Sequence, residues 1–391
     1  MLRNIFLYLC VSLISSVFFR CNHEVIKINN GTNEDLHTNL INTSSIRYAK
    51  RFSIAENKKC KVVYLFGNLN LSDTTATYIF LKDSSEKIDV KQNTFIFKYP
   101  CKKIASLSSL YTNMLCELGE IQHLAGIENI DYYNNTLVVK KHSAGQLIEL
   151  SKNPDMDIEK TIVLNPDIIF NFGMGNPGNG PNKNLEKANI ALAIIVDHLE
   201  ESPLARAEWI KFFAVFVDKE NLADSIFNAV EKSYKKLQAI SITAKTKPSV
   251  FTEIKYGDIW YVPGGKSFMA TLFAHANVNY IWKDDTKAGS LHLSFEEVYM
   301  KAKNADFWLN LSLLNSKKEL YALEKRYSEF KAFKTNNLYN NNKITNPKGY
   351  STYWEKGIMF PDKILSDLIL IFHPELKSQI NNEFNYYKKL N

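Results

Sequence analysis

From Cys101 onward the chain alternates strand-like apolar runs with helical segments, and one long helical stretch interrupts that alternation. Lys103-Ile-Ala-Ser-Leu-Ser reads as a strand. Leu110, Met114, Leu115 and Leu118 lie at helical spacing, and Gly119 closes that helix. Leu124-Ala-Gly-Ile is a further strand. A helix opened by Asp157 ends at Asn165-Pro166, and the strands Asp167–Phe172 and Ala191–Val196 follow. Alternation of this kind builds a mostly parallel sheet covered on both faces. It then stops: Ser202 as N-cap and Pro203 at the first helical position start a helix to about Val217. After Asp218 a second helix carries the apolar stripe Leu222, Ile226, Val230, Tyr234 and Leu237. Beyond Lys247-Pro248 the alternation resumes with Val250-Phe-Thr-Glu. The expected fold class is α/β: two Rossmann-like lobes joined by a long helical connection.

Ahead of this module, Lys61–Phe66 and Ala76–Leu81 are β-prone runs separated by turn residues, giving an N-terminal β extension with a hairpin. The segments read as an export signal at 1–21, a polar tether at 22–46 and the β extension at 47–100. An N-terminal lobe at 101–201, connecting helices at 202–241 and a C-terminal lobe at 242–391 complete the chain of 391 residues. Arg3 precedes a short apolar run from Ile5 to Phe19, which suits a signal better than a membrane span. Cys21 sits where a lipoprotein's acylated cysteine would, but Arg20 stands where such a site prefers a small residue. Lipidation of Cys21, simple cleavage and an uncleaved anchor all stay open.

Composition removes several function classes. The net charge is +7, but lysines are spread evenly, and the only arginines are Arg3, Arg20, Arg47, Arg51, Arg206 and Arg326. Nucleic-acid surfaces favour clustered basic residues and the planar arginine fork, so no nucleic-acid partner is expected. No C-x-x-C pair exists, which disfavours structural zinc. Export would permit a Cys60–Cys101 disulfide, and buried thiols are the alternative. Gly173-Met-Gly175-Asn-Pro-Gly178, with Asp197 downstream, matches a dinucleotide fingerprint. Pro177 and Pro181 block the helix that would hold a pyrophosphate, so a cleft-edge loop is expected there. No Gly-x-Ser-x-Gly elbow accompanies Ser106, Ser108 or Ser109, and no catalytic residues are assigned. His142, His198, His275 and His292 show no i, i+4 pairing, so no protein metal site is expected.

The two lobes share a local pattern. Asp157-Ile158-Glu159 and Ser294-Phe295-Glu296 each open a helix that leads into an apolar strand. With Asp157 and Ser294 as N-caps, Glu159 and Glu296 both occupy the second helical position. Ser294 and Glu297 form a capping box, leaving Glu296 outward.

From about Cys101 to Leu376 the chain resembles the iron-siderophore and cobalamin class of periplasmic binding proteins. The resemblance is carried by Lys103-Ile-Ala-Ser-Leu-Ser-Ser-Leu with Leu115-Cys-Glu-Leu-Gly and by Ile158-Glu-Lys-Thr-Ile-Val-Leu-Asn-Pro-Asp-Ile-Ile. Trp260-Tyr-Val-Pro-Gly-Gly and Leu293-Ser-Phe-Glu-Glu-Val carry it in the second lobe. The extension before Cys101 and Arg20 depart from the pattern. The resemblance implies a monomeric importer-coupled binding protein outside the cytoplasm, with a rigid interlobe helix and a metal chelate as ligand rather than a resident cofactor. It also implies docking of Glu159 and Glu296 onto the membrane subunits of an ABC importer, with Glu297 an alternative in the second lobe.

Ligands of α/β lobes bind outside the carboxyl ends of the strands. The candidates there are Ser108, Tyr132 and His142 in the first lobe and Tyr256, Trp260, Tyr261, Tyr350, Tyr353 and Trp354 in the second. Aromatics suit a bulky, flat chelate. Arg206 is the one arginine near these loops and is expected to be structural. The scarcity of cations leans toward a corrinoid or a weakly charged siderophore. A haem-binding lipoprotein, using His142 or a cleft tyrosine, is the alternative.

Overall fold

The computed structural model describes residues 46–67, 74–82, 93–98, 100–152, 155–173, 183–380 and 383–391. The export signal, Cys21, nearly all of the tether and residues 174–182 of the glycine-proline loop lie outside them. Among the described residues no helix is long and apolar enough to cross a membrane.

The β extension is a four-stranded sheet. Phe52–Glu56, Cys60–Phe66 and Thr74–Leu81 run antiparallel in chain order, with Lys61 opposite Phe80, and Thr94–Lys98 adds a parallel edge. It packs into the rest of the molecule: Phe52 lies 4.9 Å from Trp209, and Tyr78 and Phe80 lie 5.3 and 5.0 Å from Phe216, ring centre to ring centre. Cys60 and Cys101 are both buried thiols in different apolar clusters, so the disulfide alternative does not hold.

The N-terminal lobe has a fully parallel five-stranded sheet. Its order is Ala191–Ile195, Ile168–Phe172, Ile104–Leu107, Leu124–Ile127, Ile148–Glu149. The C-terminal lobe repeats the plan: Asn279–Tyr280, Ser249–Thr252, Phe307–Leu309 and Leu338–Asn340 are parallel, and Lys388–Lys389 closes the edge antiparallel. In each lobe the chain enters mid-sheet, winds outward one way, then returns and winds the other. That reversal leaves a crevice beyond the strand ends, between Leu107 and Phe172 in one lobe and between Thr252 and Leu309 in the other. In the second lobe, Glu253 and Asn310 leave these strands with φ of 67° and 61°, left-handed values uncommon for residues with side chains.

The connection differs from a single rod. Ser202 caps Pro203–Glu208, accepting the Ala205 amide as expected, but Trp209 interrupts the helix. Ile210–Val217 follows with all eight residues buried, and Asp218 then adopts φ 59° before Glu220–Ser241 begins. A helix buried on every side belongs in a core, and its one charged residue, Lys211, is paired with Glu208 and Asp224. Here the aromatic β extension covers one side and the N-terminal sheet the other. The long helix buries Ala223, Phe227, Val230, Tyr234 and Leu237, whereas Leu222 is exposed. The stripe is rotated toward Ala223 because Phe227 anchors it, with Lys211 above its ring. One continuous apolar core joins the extension, both lobes and the connecting helices.

Candidate functional site

A cavity of about 500 Å³ lies beyond the strand ends of the N-terminal lobe and is bounded on the side of the other lobe by Tyr350, Ser351, Trp354 and Ile358. Its floor is Leu107, Ser108 and Ser109 at the end of one strand, together with Glu128, Phe172, Asp197 and His198 at the ends of the others. Tyr132, Tyr350 and Trp354 form an aromatic wall, Tyr132 meeting Tyr350 edge-on at 4.8 Å. A short π-helical turn, Tyr353–Gly357, leaves Trp354 57% exposed while Tyr353 is buried. Turns of this kind are frequent at functional sites.

The polar end is internally neutralised. Arg206 donates through Nε and Nη2 to Asp197 Oδ2 at 3.0 and 2.7 Å, and Tyr111 donates to Oδ1 at 2.6 Å. The Arg206 guanidinium also lies 5.1 Å from the centre of the Phe268 ring. Burial holds the His198 imidazole below its ordinary range against the pull of Asp197, and its buried Nδ1 has no hydrogen-bond partner among the described residues. Burial pushes the Glu128 carboxyl up to about 7, although the Ser109 amide donates to it. In the second lobe's crevice, burial likewise raises Glu253 to about 8, with Asn310 bonded to it and Tyr387 donating to Asn310 at 2.8 Å.

Direct bonds tie the lobes beside the cavity. Glu355 accepts the Asn134 and Asn135 amides at 3.0 Å each, and Asn346 Nδ2 donates to the Asp131 and Tyr133 carbonyls at 2.7 and 3.2 Å. Burial raises the Glu355 carboxyl, and the two amides oppose that shift.

Of the residues expected from sequence, Ser108, Tyr132, Tyr350 and Trp354 converge on the cavity. The others lie elsewhere. His142 sits on the helix Thr136–Ser143, 3.0 Å from Glu149. Trp260 is fully buried and donates to the Thr252 carbonyl at 3.1 Å, so it is a core residue. Its strand, Ile259–Pro263, alternates faces, which turns Tyr261 outward against His292. Tyr256 is 83% exposed on the neighbouring strand. Tyr353 is packed inward against Met269. Gly264 and Gly265 serve chain packing: a Cβ on either would come within 2.3 Å of a backbone carbonyl in the 283–289 loop.

Glu128, Phe172, Asp197 and His198 also line the cavity, although the sequence points to none of them as a ligand-binding residue. Each lies at a parallel strand's end or within three residues of it, and that rule applied strictly would have found them. Arg206 both lines the cavity and braces Asp197. Among the described residues no group of three or more His, Cys, Asp or Glu converges as a metal site.

Glu159 and Glu296 lie at equivalent positions on the two lobes. Each is the second residue of a helix, capped by Asp157 and Ser294 respectively, and each is exposed. The Ser294–Glu297 capping box is present, and Glu296 lies 3.1 Å from Arg326. Glu297 is exposed as well, with its carboxylate tied into the cap at 2.7 and 2.8 Å from the Ser294 amide and hydroxyl.

Residues 104–344 match a family described as periplasmic binding protein. An uncharacterized lipoprotein of Methanocaldococcus jannaschii is 30% identical over 247 residues, 60% of this chain. The match spans only about half, 55%, of that relative's own length. The nickel–histidine complex of Helicobacter pylori CeuE is similar in structure, with a TM-score of 0.55 and 17% identity, over 73% of this chain and 87% of that one. So is the apo periplasmic haem-binding protein RhuT from Roseiflexus sp. RS-1, with a TM-score of 0.54 and 16% identity, over 71% and 99%. At such identities the two structures establish the shared fold.

Proposed function

This chain belongs to the periplasmic binding protein family, and on that basis we propose that it captures a metal–organic chelate outside the cytoplasm and delivers it to the membrane subunits of an ABC importer. The observation that carries this reading is the cavity between the lobes. It lies at a topological switch point, is large enough for a chelate, and pairs an aromatic wall with a compact polar floor. Two proteins of similar structure are a nickel–histidine complex and a haem-binding protein, and those ligands are of the same broad kind. Capture needs no catalytic group, and the chain is read as a binding protein rather than an enzyme. Delivery rests on Glu159 and Glu296, one on each lobe, which can report lobe spacing to a partner with two cationic pockets. Lipidation at Cys21 would tether the receptor to the membrane, as the lipoprotein relative suggests. We take the receptor to act as a monomer.

A haem reading has its own support. His198 lines the cavity, and its buried Nδ1 has no hydrogen-bond partner among the described residues, so His198 rather than His142 would face a porphyrin.

The chain's intrinsic fluorescence tests capture. Of its five tryptophans, Trp209, Trp260, Trp282 and Trp308 are buried and Trp354 lines the cavity. Titration with a ferric trihydroxamate, cyanocobalamin or haemin is expected to quench emission with micromolar or tighter affinity for at least one of them. Trp354→Phe should remove most of that quench. No binding by any of the three would sink the proposal.

A further inference from the structure

We propose that Glu128 makes this cleft selective for cationic metal chelates over polyanionic ones, an inference that rests on the capture function above. Glu128 directly follows the strand Leu124–Ile127 and lines the cavity at the start of the helix Ser109–Glu117. A helix start ordinarily attracts anions through its unpaired amides. Here Glu128 takes the Ser109 amide, so the protein's own carboxylate fills the place an anionic ligand would use.

Among the described residues no unpaired cation lines the cavity. Arg206, the one arginine or lysine among the described residues lining the cavity, is bound through two nitrogens to Asp197. His198 is held in its neutral range by burial. With Glu128 ionised, the lining therefore carries two carboxylates against one guanidinium. A polyanionic chelate would meet like charge in a partly desolvated site, whereas a cationic chelate would pair with Glu128.

The groups whose charges act on or near Glu128 are Tyr111, Tyr132, Tyr133 and the Asp197–Arg206 pair, and the tyrosines are held neutral with raised phenol ranges. Because burial has already raised the Glu128 carboxyl to about 7, a bound cation favours its ionised form and releases a proton. Affinity for a cationic chelate should then fall as pH drops below about 7, and affinity for a neutral chelate should not.

The test titrates the full chain at pH 8 with three ferric chelates: a trihydroxamate bearing a free ammonium, a neutral cyclic trihydroxamate and a trianionic tris-catecholate. The cationic chelate is expected to bind about tenfold or more tighter than the trianionic one. Glu128→Gln should remove that preference while sparing the neutral chelate, and Glu128→Asp should retain it. Tightest binding of the tris-catecholate would overturn the inference. So would an equal weakening of all three chelates by Glu128→Gln in a variant with unchanged thermal unfolding. Binding of none of the three by the unsubstituted chain would overturn the capture function itself.

Discussion

Glu208→Ala is expected to destabilise the protein by about 3–5 kcal/mol and to release its N-terminal segment. Glu208 is fully buried, and its two carboxylate oxygens accept the backbone amides of Arg47, Tyr48 and Ala49 at 2.9, 2.7 and 3.0 Å. Lys211 lies 3.2 Å from the same carboxylate. Truncation leaves these amides without an acceptor, at about 1–3 kcal/mol for each donor that stays desolvated. Lys211 keeps Asp224 at 3.0 Å, which limits the charge penalty on that side. The neighbouring Glu200 holds the Lys50 and Arg51 amides in the same way, each at 3.1 Å, and Glu231 pairs with the Arg47 side chain at 2.7 Å, so the variant keeps these anchors but loses the one that fixes the backbone of 47–49. Urea unfolding should show the lower stability, and trypsin should cut the native variant after Arg47, Lys50 or Arg51. Unfolding and cleavage indistinguishable from the unsubstituted protein would remove the clamp from this account.

The second large effect concerns delivery. Glu159→Ala combined with Glu296→Ala should lower importer-dependent uptake on the order of 100-fold, about 1–2 kcal/mol for each charge lost from the docked interface. Affinity for the chelate should not change, because neither residue lines the described cavity. Arg326 would have to leave Glu296 on docking, but it keeps Glu324 at 2.9 Å, and exchanging one exposed ion pair costs at most about 1 kcal/mol. Uptake of a labelled chelate by cells carrying the importer, set beside equilibrium affinity, separates the two steps. Unchanged uptake would argue against docking through these residues. A matching loss of affinity would place their role in the cleft.

Local signals were the most legible in the sequence. The Ser202-Pro203 helix start and the Ser294–Glu297 capping box appear as written, because each depends on residues three or four apart. Parallel lobes followed from alternation, and Ser108, Tyr132, Tyr350 and Trp354 followed from their places at strand ends or in a loop beyond them. What depends on distant pairing was not legible. Glu208 binds Arg47 across 161 positions, and nothing near either residue signals it. Asp197 and Arg206 are only nine apart, yet they face each other because the turn Asp197–Leu199 folds the next helix back. Ile259-Trp-Tyr-Val-Pro is apolar throughout, so its alternation cannot be phased by polarity, and Trp260 was placed on the wrong face. Tyr353 and Trp354 separate across a π-helical turn that propensities do not signal.

The most direct test of chelate capture is the visible absorption and metal content of the protein purified from its native source under chelate-replete growth. The expected result is a co-purifying chromophore, a ferric charge-transfer, corrinoid or Soret band, with about one metal per chain. A colourless, metal-free protein from the same cells would contradict capture of a metal chelate.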